Sequence, residues 1–395
     1  MPFSSEAAPA TVEVSVVMPC LNEADTLERC VRKALSAFAQ AGIRGEVIVA
    51  DNGSTDGCPA LATAAGARVV HVKAKGYGSA LMGGIAAAQG RYVLMGDADD
   101  SYDFLEAPRF VAKLREGYDL VQGCRLPSGG GTVAPGAMPW SHRWIGNPLF
   151  SRLSRWWFRA PIHDIYCGMR GFTKAHYESL NQRCTGMEFA TEMIIKSSLH
   201  GARIAEVPIT LHPDGRTSHP PHLKTFRDGW RTLRFFLMYS PRWLFLMPGL
   251  ALITAGLLGY LLALPAVQWR GLVFDVHTLL YASVAMLCGY QAVLFALFTK
   301  TFAINEGLMP ADARFLKFFR FVNLERGALA GLAAMTAGLG LLAYVFWMWH
   351  GTAYGRLDYA STLRWAIPGA TLTMLGFQTV LSGFFVSILG MNRKV

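Results

Sequence analysis

Tyr92-Val-Leu-Met-Gly-Asp-Ala-Asp-Asp100 is an apolar run that ends in carboxylates at Asp97 and Asp99. An extended chain turns successive side chains to opposite faces, so residues two apart point the same way. The spacing lets both carboxylates converge on one divalent cation at the end of a strand. Hard oxygen ligands suit Mg2+ or Mn2+, whose shell is usually completed by water and phosphate oxygens. A solvated turn after a strand would carry the same two acids, so the rest of the chain has to decide between the readings.

Upstream, Val12 to Pro19 is a β-branched run, and Leu27, Val31, Leu35 and Phe38 recur at helical spacing. Glu46 to Asp51 and Ala67 to Lys73 read as the second and third strands, and Tyr92 to Gly96 as the fourth. Strands alternating with helices predict a parallel sheet covered on both faces. Ligands of such sheets sit beyond the carboxyl ends of the strands. Asn22 and Glu23 follow the first strand, Asp51 and Asn52 the second, and Asp97 and Asp99 the fourth. Downstream, the glycine-rich Pro127 to Thr132 reads either as a mobile loop near the site or as an ordinary surface turn. A helix from about Met187 to His200 and a strand from Ala202 to His212 close the domain.

Charge is unevenly spread. The chain has 395 residues, of which 16% are charged, yet the charges thin out after roughly residue 240. Four stretches then lack Asp, Glu, Lys and Arg: Leu244 to Leu264, Val276 to Thr299, Ala328 to Trp349 and Trp365 to Gly390. Each reaches the roughly 20 residues that a helix needs to cross the hydrocarbon core. The N-terminus has no basic stretch followed by an apolar core, so no signal peptide is expected. Lys300, Arg314, Lys317, Arg320 and Arg326 follow the second span, and Arg393 and Lys394 follow the fourth. The remaining connectors hold only Arg270, then Arg356 and Arg364. The positive-inside tendency predicts both chain ends and the catalytic part in the cytosol.

A helix just before the first span carries two neighbouring stripes. Leu223, Phe226, Trp230, Leu233 and Leu237 form one, and Lys224, Arg227, Arg231 and Arg234 the other. That pattern suits a helix lying among lipid headgroups, although a helix packed on the catalytic domain would show it too. The net charge of +10 is better matched to anionic lipid and phosphate-bearing substrates than to nucleic acid. The seven cysteines form no Cys-x-x-Cys pair and read as reduced thiols. The expected divisions are a tail over residues 1–12, a catalytic domain over 13–215, a juxtamembrane segment over 216–242 and a membrane domain over 243–395.

Five segments together resemble the family-2 inverting glycosyltransferases of the A-type fold, especially the polyprenyl-phosphate glycosyltransferases similar to dolichol-phosphate mannose synthase. They are Val17-Met-Pro-Cys-Leu-Asn-Glu23, Val47-Ile-Val-Ala-Asp-Asn-Gly-Ser-Thr-Asp-Gly57, Gly76-Tyr-Gly78 with Ala80, Gly96-Asp-Ala-Asp99, and Asp164-Ile-Tyr-Cys-Gly-Met-Arg-Gly-Phe172. The resemblance implies a Rossmann-like α/β cytosolic domain followed by an all-α transmembrane domain of four helices. It makes the chain an integral protein of a bacterial inner membrane, and four spans would support a homo-oligomer. It implies a metal-dependent hexosyltransferase that joins a nucleotide sugar to a polyprenyl phosphate.

Residue by residue, the resemblance gives nucleotide contacts to Pro19, Asn22, Glu23, Asp51 and Asp97, and the metal to Asp97 and Asp99. It assigns the acceptor phosphate or the diphosphate to Arg125 and Arg143, and a late diphosphate contact to Arg216 and Lys224. Asp164 and Glu192 complete the catalytic candidates. Asp164 would orient the acceptor or a basic partner. Glu188 and Glu192 share a helix face where hydroxyl-transferring relatives carry a base. Two departures stand out. Asn52 replaces the second acid of the usual Asp-Asp-Gly-Ser pattern, and Ser101 stands where a glutamine often follows the metal pair.

Other classes fit less well. A processive polysaccharide synthase would carry a Gln-x-x-Arg-Trp element, but Trp140-Ser-His-Arg-Trp144 lacks the glutamine and comes too early. A dinucleotide-binding dehydrogenase would have a glycine where Leu81 stands. The apolar stretches offer no Asp, Glu, Lys or Arg to mark a transport path.

Overall fold

A computed structural model describes residues 12–216, 225–310, 315, 317 and 324–390. The chain divides into two compact units, one ending at Phe236 and the other beginning at Leu237.

The first unit is built on a seven-stranded sheet. Its strands in chain order are β1 (Val14–Cys20), β2 (Gly45–Asp51), β3 (Arg68–His71), β4 (Tyr92–Met95), β5 (Leu120–Cys124), β7 (Arg170–Thr173) and β8 (Ile204–Pro208). The short β6 (Thr132–Val133) and β9 (Thr210–Leu211) pair with each other outside it. The spatial order is β3-β2-β1-β4-β7-β5-β8. Strands β1 to β4 run parallel, as do β5 and β8, whereas β7 is antiparallel to both of its neighbours. The parallel half follows from its residues. Val14, Val16, Val17 and Met18 are fully buried, each contributing roughly 1.5–3 kcal/mol of apolar transfer. The helix α1 (Leu27–Ala41) buries Leu27, Cys30, Val31, Ala34, Ala37 and Phe38 at steps of three and four, and Gly42 ends it at φ 59°.

Two expectations are corrected here. The region from Ala202 to His212 is not one strand: β8 pairs with β5, and β9 then turns away to β6. The glycine-rich segment is a packed turn, not a free loop. A Cβ at Gly131 would lie 2.1 Å from the Cys124 carbonyl oxygen, and Thr132 N–H donates to Ile209 O at 3.0 Å. Close backbone approach, not freedom of motion, explains that glycine.

Seven more helices cover this unit: α2 (Cys58–Ala64), α3 (Tyr77–Ala87), α4 (Ala107–Arg115), α5 (Asn147–Phe158), α6 (Lys174–Leu180), α7 (Glu188–Leu199) and α8 (Thr225–Met238). The buried side of α8 is formed by Thr232, Phe235 and Phe236. Phe236 meets Phe158 and Phe150 of α5 edge to face, at 5.3 and 5.9 Å between ring centres. Trp230, on the apolar stripe expected from sequence, is 58% exposed. Among the described side chains of α8, the aromatic cluster of α5 packs on Phe236.

The second unit has four long helices. The first span covers Arg242–Ala263 and includes α9 (Met247–Ala263). It is followed by α10 (Val276–Asn305), α11 (Leu324–Gly351) and α12 (Tyr359–Leu389). The unit is a membrane-anchoring all-α domain, and its helices outrun the apolar stretches that announce them. Between lipid-facing helices little hydrophobic drive remains, so small residues and hydroxyls carry the packing. A Cβ at Gly338 would lie 2.6 Å from the Gly369 carbonyl oxygen, and one at Gly331 would lie 2.8 Å from that of Gly376. Tyr260 OH pairs with Ser283 Oγ at 2.6 Å and donates to Thr371 Oγ1 at 3.0 Å, tying α9, α10 and α12 together.

Candidate active site

The carboxyl ends of β1, β2 and β4 form one edge because their register aligns Cys20 with Asp51 and Val17 with Met95. Pro19 lies within β1 opposite Ala50, just before that edge. Asp51 is buried there. Its carboxylate accepts from Ser54 N–H (3.0 Å), Gly53 N–H (3.3 Å) and His71 Nδ1 (3.1 Å). Burial alone would raise its pKa, but the bonds from Ser54, His71 and Gly53 outweigh it and hold the group below its ordinary value. Asn22, at φ 60°, accepts from Thr55 N–H at 2.8 Å and so fastens the loop after β1 to the loop after β2.

Asn52 explains one departure from the family pattern. Its Nδ2 donates to the Val72 and Ala74 carbonyls at 3.0 and 2.8 Å, while its Oδ1 accepts from Gly76 N–H at 2.9 Å. A carboxylate could not donate to either carbonyl. The amide therefore fixes the start of α3, where Tyr77 sits. Tyr77 OH donates to Asp97 Oδ1 at 2.8 Å. Sequence reading passed over Tyr77; the signal was its position between Gly76 and Gly78 at the head of a helix. Gly78 admits the Cys184 carbonyl, which would lie 2.5 Å from an added Cβ.

Asp97 and Asp99 follow β4 and flank the buried Ala98, so the alternation of the strand continues into the loop. Asp99 Oδ1 accepts from Ser101 N–H (3.0 Å) and Ser101 Oγ (2.6 Å). Burial, then the neighbouring Asp99 charge, push the Asp97 carboxyl up to about 6. Gly168 completes the cradle, since a Cβ there would fall 2.6 Å from Asp97 Oδ2. Among the described residues no three His, Cys, Asp or Glu side chains form a metal cluster. The donor set is thus a two-carboxylate one, and a cation would relieve the repulsion that raises Asp97.

Arg216 closes the edge. Its guanidinium pairs with Asp214, with Glu23 Oε1 at 3.0 Å and with Asp99 Oδ2 at 3.4 Å. Gly215 N–H donates to the Asp99 carbonyl at 3.0 Å, which brings the segment after β9 alongside the metal pair. Burial opposes the Arg216 charge, but its bonds to Asp214 and the charges of Glu23 and Asp99 hold its pKa above the usual value.

Four other candidates remain, and Arg125 lies near enough to Asp97 for its charge to lower that group's pKa. Arg125 is buried and turned onto Asp164, with Nε and NH2 donating at 2.7 and 2.9 Å; NH1 reaches Tyr102 OH at 3.3 Å. Asp164 thus pairs with Arg125, whose guanidinium is hydrogen-bonded within the protein. Glu192 is fully buried. It pairs with Lys196 at 2.7 Å and accepts from Cys184 N–H at 2.8 Å and Arg183 N–H at 3.1 Å. Arg143 sits in a turn before α5, over the Trp144 ring at 5.2 Å. Its Nε is buried with no hydrogen-bond partner among the described residues. Lys224 lies outside the described residues.

Comparison with known proteins identifies the lineage. Residues 15–180 match the profile of Glycosyl transferase family 2, and residues 297–390 match the Glycosyltransferase family 2 C-terminal transmembrane region. The low-salt glycan biosynthesis hexosyltransferase Agl6 of Haloferax volcanii is 36% identical over 98% of this chain and 90% of its own length. The dolichyl-phosphate hexose transferase of the same organism is 33% identical over 50% of this chain and 82% of its own length. Glucosyl-3-phosphoglycerate synthase of Mycobacterium tuberculosis, solved with Mg2+ and uridine diphosphate, is 24% identical over 57% of this chain and 77% of that one, with a TM-score of 0.43. With near full-length similarity to a hexosyltransferase and both family regions in order, the chain belongs to glycosyltransferase family 2.

Proposed function

We propose that the chain transfers a hexosyl group, with inversion, from a nucleoside-diphosphate sugar to a polyprenyl phosphate at the cytosolic membrane face. The observation that carries this reading is the convergence of Asp51, Asp97, Asp99, Glu23 and Arg216 on one sheet edge. Asp51 and Asn22 hold the nucleoside through carboxylate and amide oxygens fixed by the loops around them. Asp97 and Asp99 would hold Mg2+ or Mn2+, with Tyr77 keeping Asp97 in one orientation. Such an ion, when bound, supplies positive charge to the departing diphosphate. Arg216 has a planar fork suited to phosphate oxygens and exchanges Glu23 or Asp99 for the diphosphate when the donor enters.

The acceptor follows from charge. A phosphate monoester is largely ionised at neutral pH, its second pKa being about 6, so it attacks without a dedicated base. The engagement of Glu192 with Lys196 and two backbone N–H groups fits that economy. The names of the relatives point to hexose transfer and, for one, to a dolichyl phosphate. The four membrane-length helices keep the enzyme where such a lipid resides. In this reading residues 13–215 are catalytic, residues 216–242 lie near the headgroups, and both chain ends are cytosolic.

The test uses the purified full chain in detergent, a panel of nucleotide sugars and undecaprenyl phosphate, with the mass of the lipid as readout. The expected product is the lipid plus a hexose, lost in chelator and restored by Mn2+. Transfer to a free sugar or protein hydroxyl with the lipid ignored overturns the acceptor, and full turnover in excess chelator overturns the metal.

A further inference from the structure

The run that carries Asp97 and Asp99 ends in a third acid, Asp100. Both of its carboxylate oxygens are engaged by α1. Oδ2 accepts from Arg29 NH1 at 2.8 Å, and Oδ1 accepts from Lys33 Nζ at 2.9 Å. Lys33 also lies 3.7 Å from Asp103 Oδ1. The Asp100 side chain is only 10% exposed, so these ion pairs are partly shielded from water.

The backbone of Asp100 stands at φ 61°, in the left-handed region. Glycine takes that conformation without steric strain, whereas other residues meet their own Cβ there, Asp and Asn least severely. An acid where glycine would be less strained points to a use for its side chain. The reversal of the chain also brings Ser101 N–H back onto Asp99 Oδ1 at 3.0 Å. The same helix holds the other side of Asp99. Thr26, at the N-terminal cap position of α1, donates through Oγ1 to the Ala98 carbonyl at 2.6 Å. Thr26, Arg29 and Lys33 follow steps of three and four, so they share one helix face. That face grips residues 98 and 100, and Asp99 lies between them.

We propose that Asp100 is a positioning residue for the metal site: held by Arg29 and Lys33, it fixes the backbone from which Asp99 presents its carboxylate to the divalent ion. The proposal rests on the proposed function, in which Asp97 and Asp99 hold that ion, and adds to it the contribution of α1.

Charge alone and the clamp predict opposite signs. Arg29 and Lys33 are both positive, so by Coulomb's law their removal should strengthen uptake of a cation nearby. If they act by holding Asp100, their removal should weaken it. The experiment is a titration of Mn2+ alone into the full chain in detergent, with free Mn2+ read by electron paramagnetic resonance and the thermal midpoint measured beside it. Wild type should take up Mn2+ saturably, and Asp99→Ala should lose that uptake. Arg29→Gln/Lys33→Gln should bind Mn2+ at least about threefold more weakly than wild type, on the scale that ion pairs of this exposure supply. Arg29→Lys/Lys33→Arg keeps both charges and should bind like wild type. Asp100→Gly adopts the left-handed backbone freely but lacks the carboxylate, and it should also bind more weakly. If the double glutamine variant fails to fold, Lys33→Gln alone carries the same sign test with a smaller loss.

Mn2+ affinity equal to or tighter than that of wild type in the glutamine variants would overturn the proposal. So would full affinity in Asp100→Gly, or a lowered thermal midpoint with unchanged Mn2+ affinity, which would make the clamp a contact of the fold alone. Wild type without saturable uptake, or Asp99→Ala with full uptake, sinks the metal reading and this proposal with it. Uptake lost in Asp99→Ala but kept in the clamp variants sinks the role of Asp100 alone.

Discussion

The candidate carboxylates of the first unit divide between two regions. At the sheet edge, Asp51, Asp97 and Asp99 are held by hydrogen bonds from hydroxyls and backbone N–H groups, with Arg216 and His71 beside them. In the interior, Asp164 and Glu192 each close on a buried cation of their own, Arg125 and Lys196. Under the proposed function, the difference separates groups arranged to meet a ligand from groups arranged to hold the fold. Neutral donors orient a carboxylate while leaving its charge for a cation or a nucleoside. A buried cationic partner neutralises it, and removing that partner strands a charge in low dielectric.

The comparison breaks most sharply at Asp99. Asp99→Ala should reduce turnover beyond detection in a radiolabelled-sugar assay, with its thermal midpoint close to that of wild type. Retained activity would remove Asp99 from the chemistry. Next in size is the interior pair: Asp164→Ala leaves Arg125 buried without its partner and should cost about 3–5 kcal/mol, read as a lowered midpoint in thermal unfolding. A neutral effect on stability would mean that the pair does not hold this region. Asn52→Asp should cost about 1–3 kcal/mol, because two carbonyls lose their donor. It should also weaken metal-dependent turnover, since α3 and Tyr77 start from that anchor; unchanged stability and activity would contradict the assignment. The smallest effect belongs to Asp51→Asn. It should raise the apparent KM for the donor with kcat little changed, and a collapse of kcat at saturating donor would assign Asp51 to the chemistry instead.

Much of this organisation is legible in the sequence, and the gaps have physical causes. Strands β1 to β4 announce themselves through β-branched runs that end in polar residues, and the four spans through length and lack of charge. Strand β7 does not. Its four residues, Arg170 to Thr173, contain a glycine and carry no periodicity. It is a strand because β4 and β5 leave a gap for it, and Leu114 and Leu94 crowd Gly171 at 3.1 and 3.5 Å from a built Cβ. The glycine-rich turn misleads for a related reason, because composition does not distinguish a glycine needed for motion from one needed for close approach. Arg125 is a clear cation in the sequence, but which anion it faces depends on Asp164, 39 residues away. Motifs locate the edge well because each strand delivers its own polar residues there. They locate interior pairs poorly, because those are made by tertiary contact.

The most direct test of the division is the double variant Glu192→Gln/Lys196→Met. It removes the buried pair together, so no lone charge is left behind, and the glutamine oxygen can still accept from Arg183 and Cys184 N–H. The account predicts a folded protein with kcat for polyprenyl phosphate within about threefold of wild type, a change under roughly 0.7 kcal/mol in the barrier. A variant that folds with an unchanged thermal midpoint and binds donor normally, yet has lost turnover, would make Glu192 the catalytic base and contradict the account.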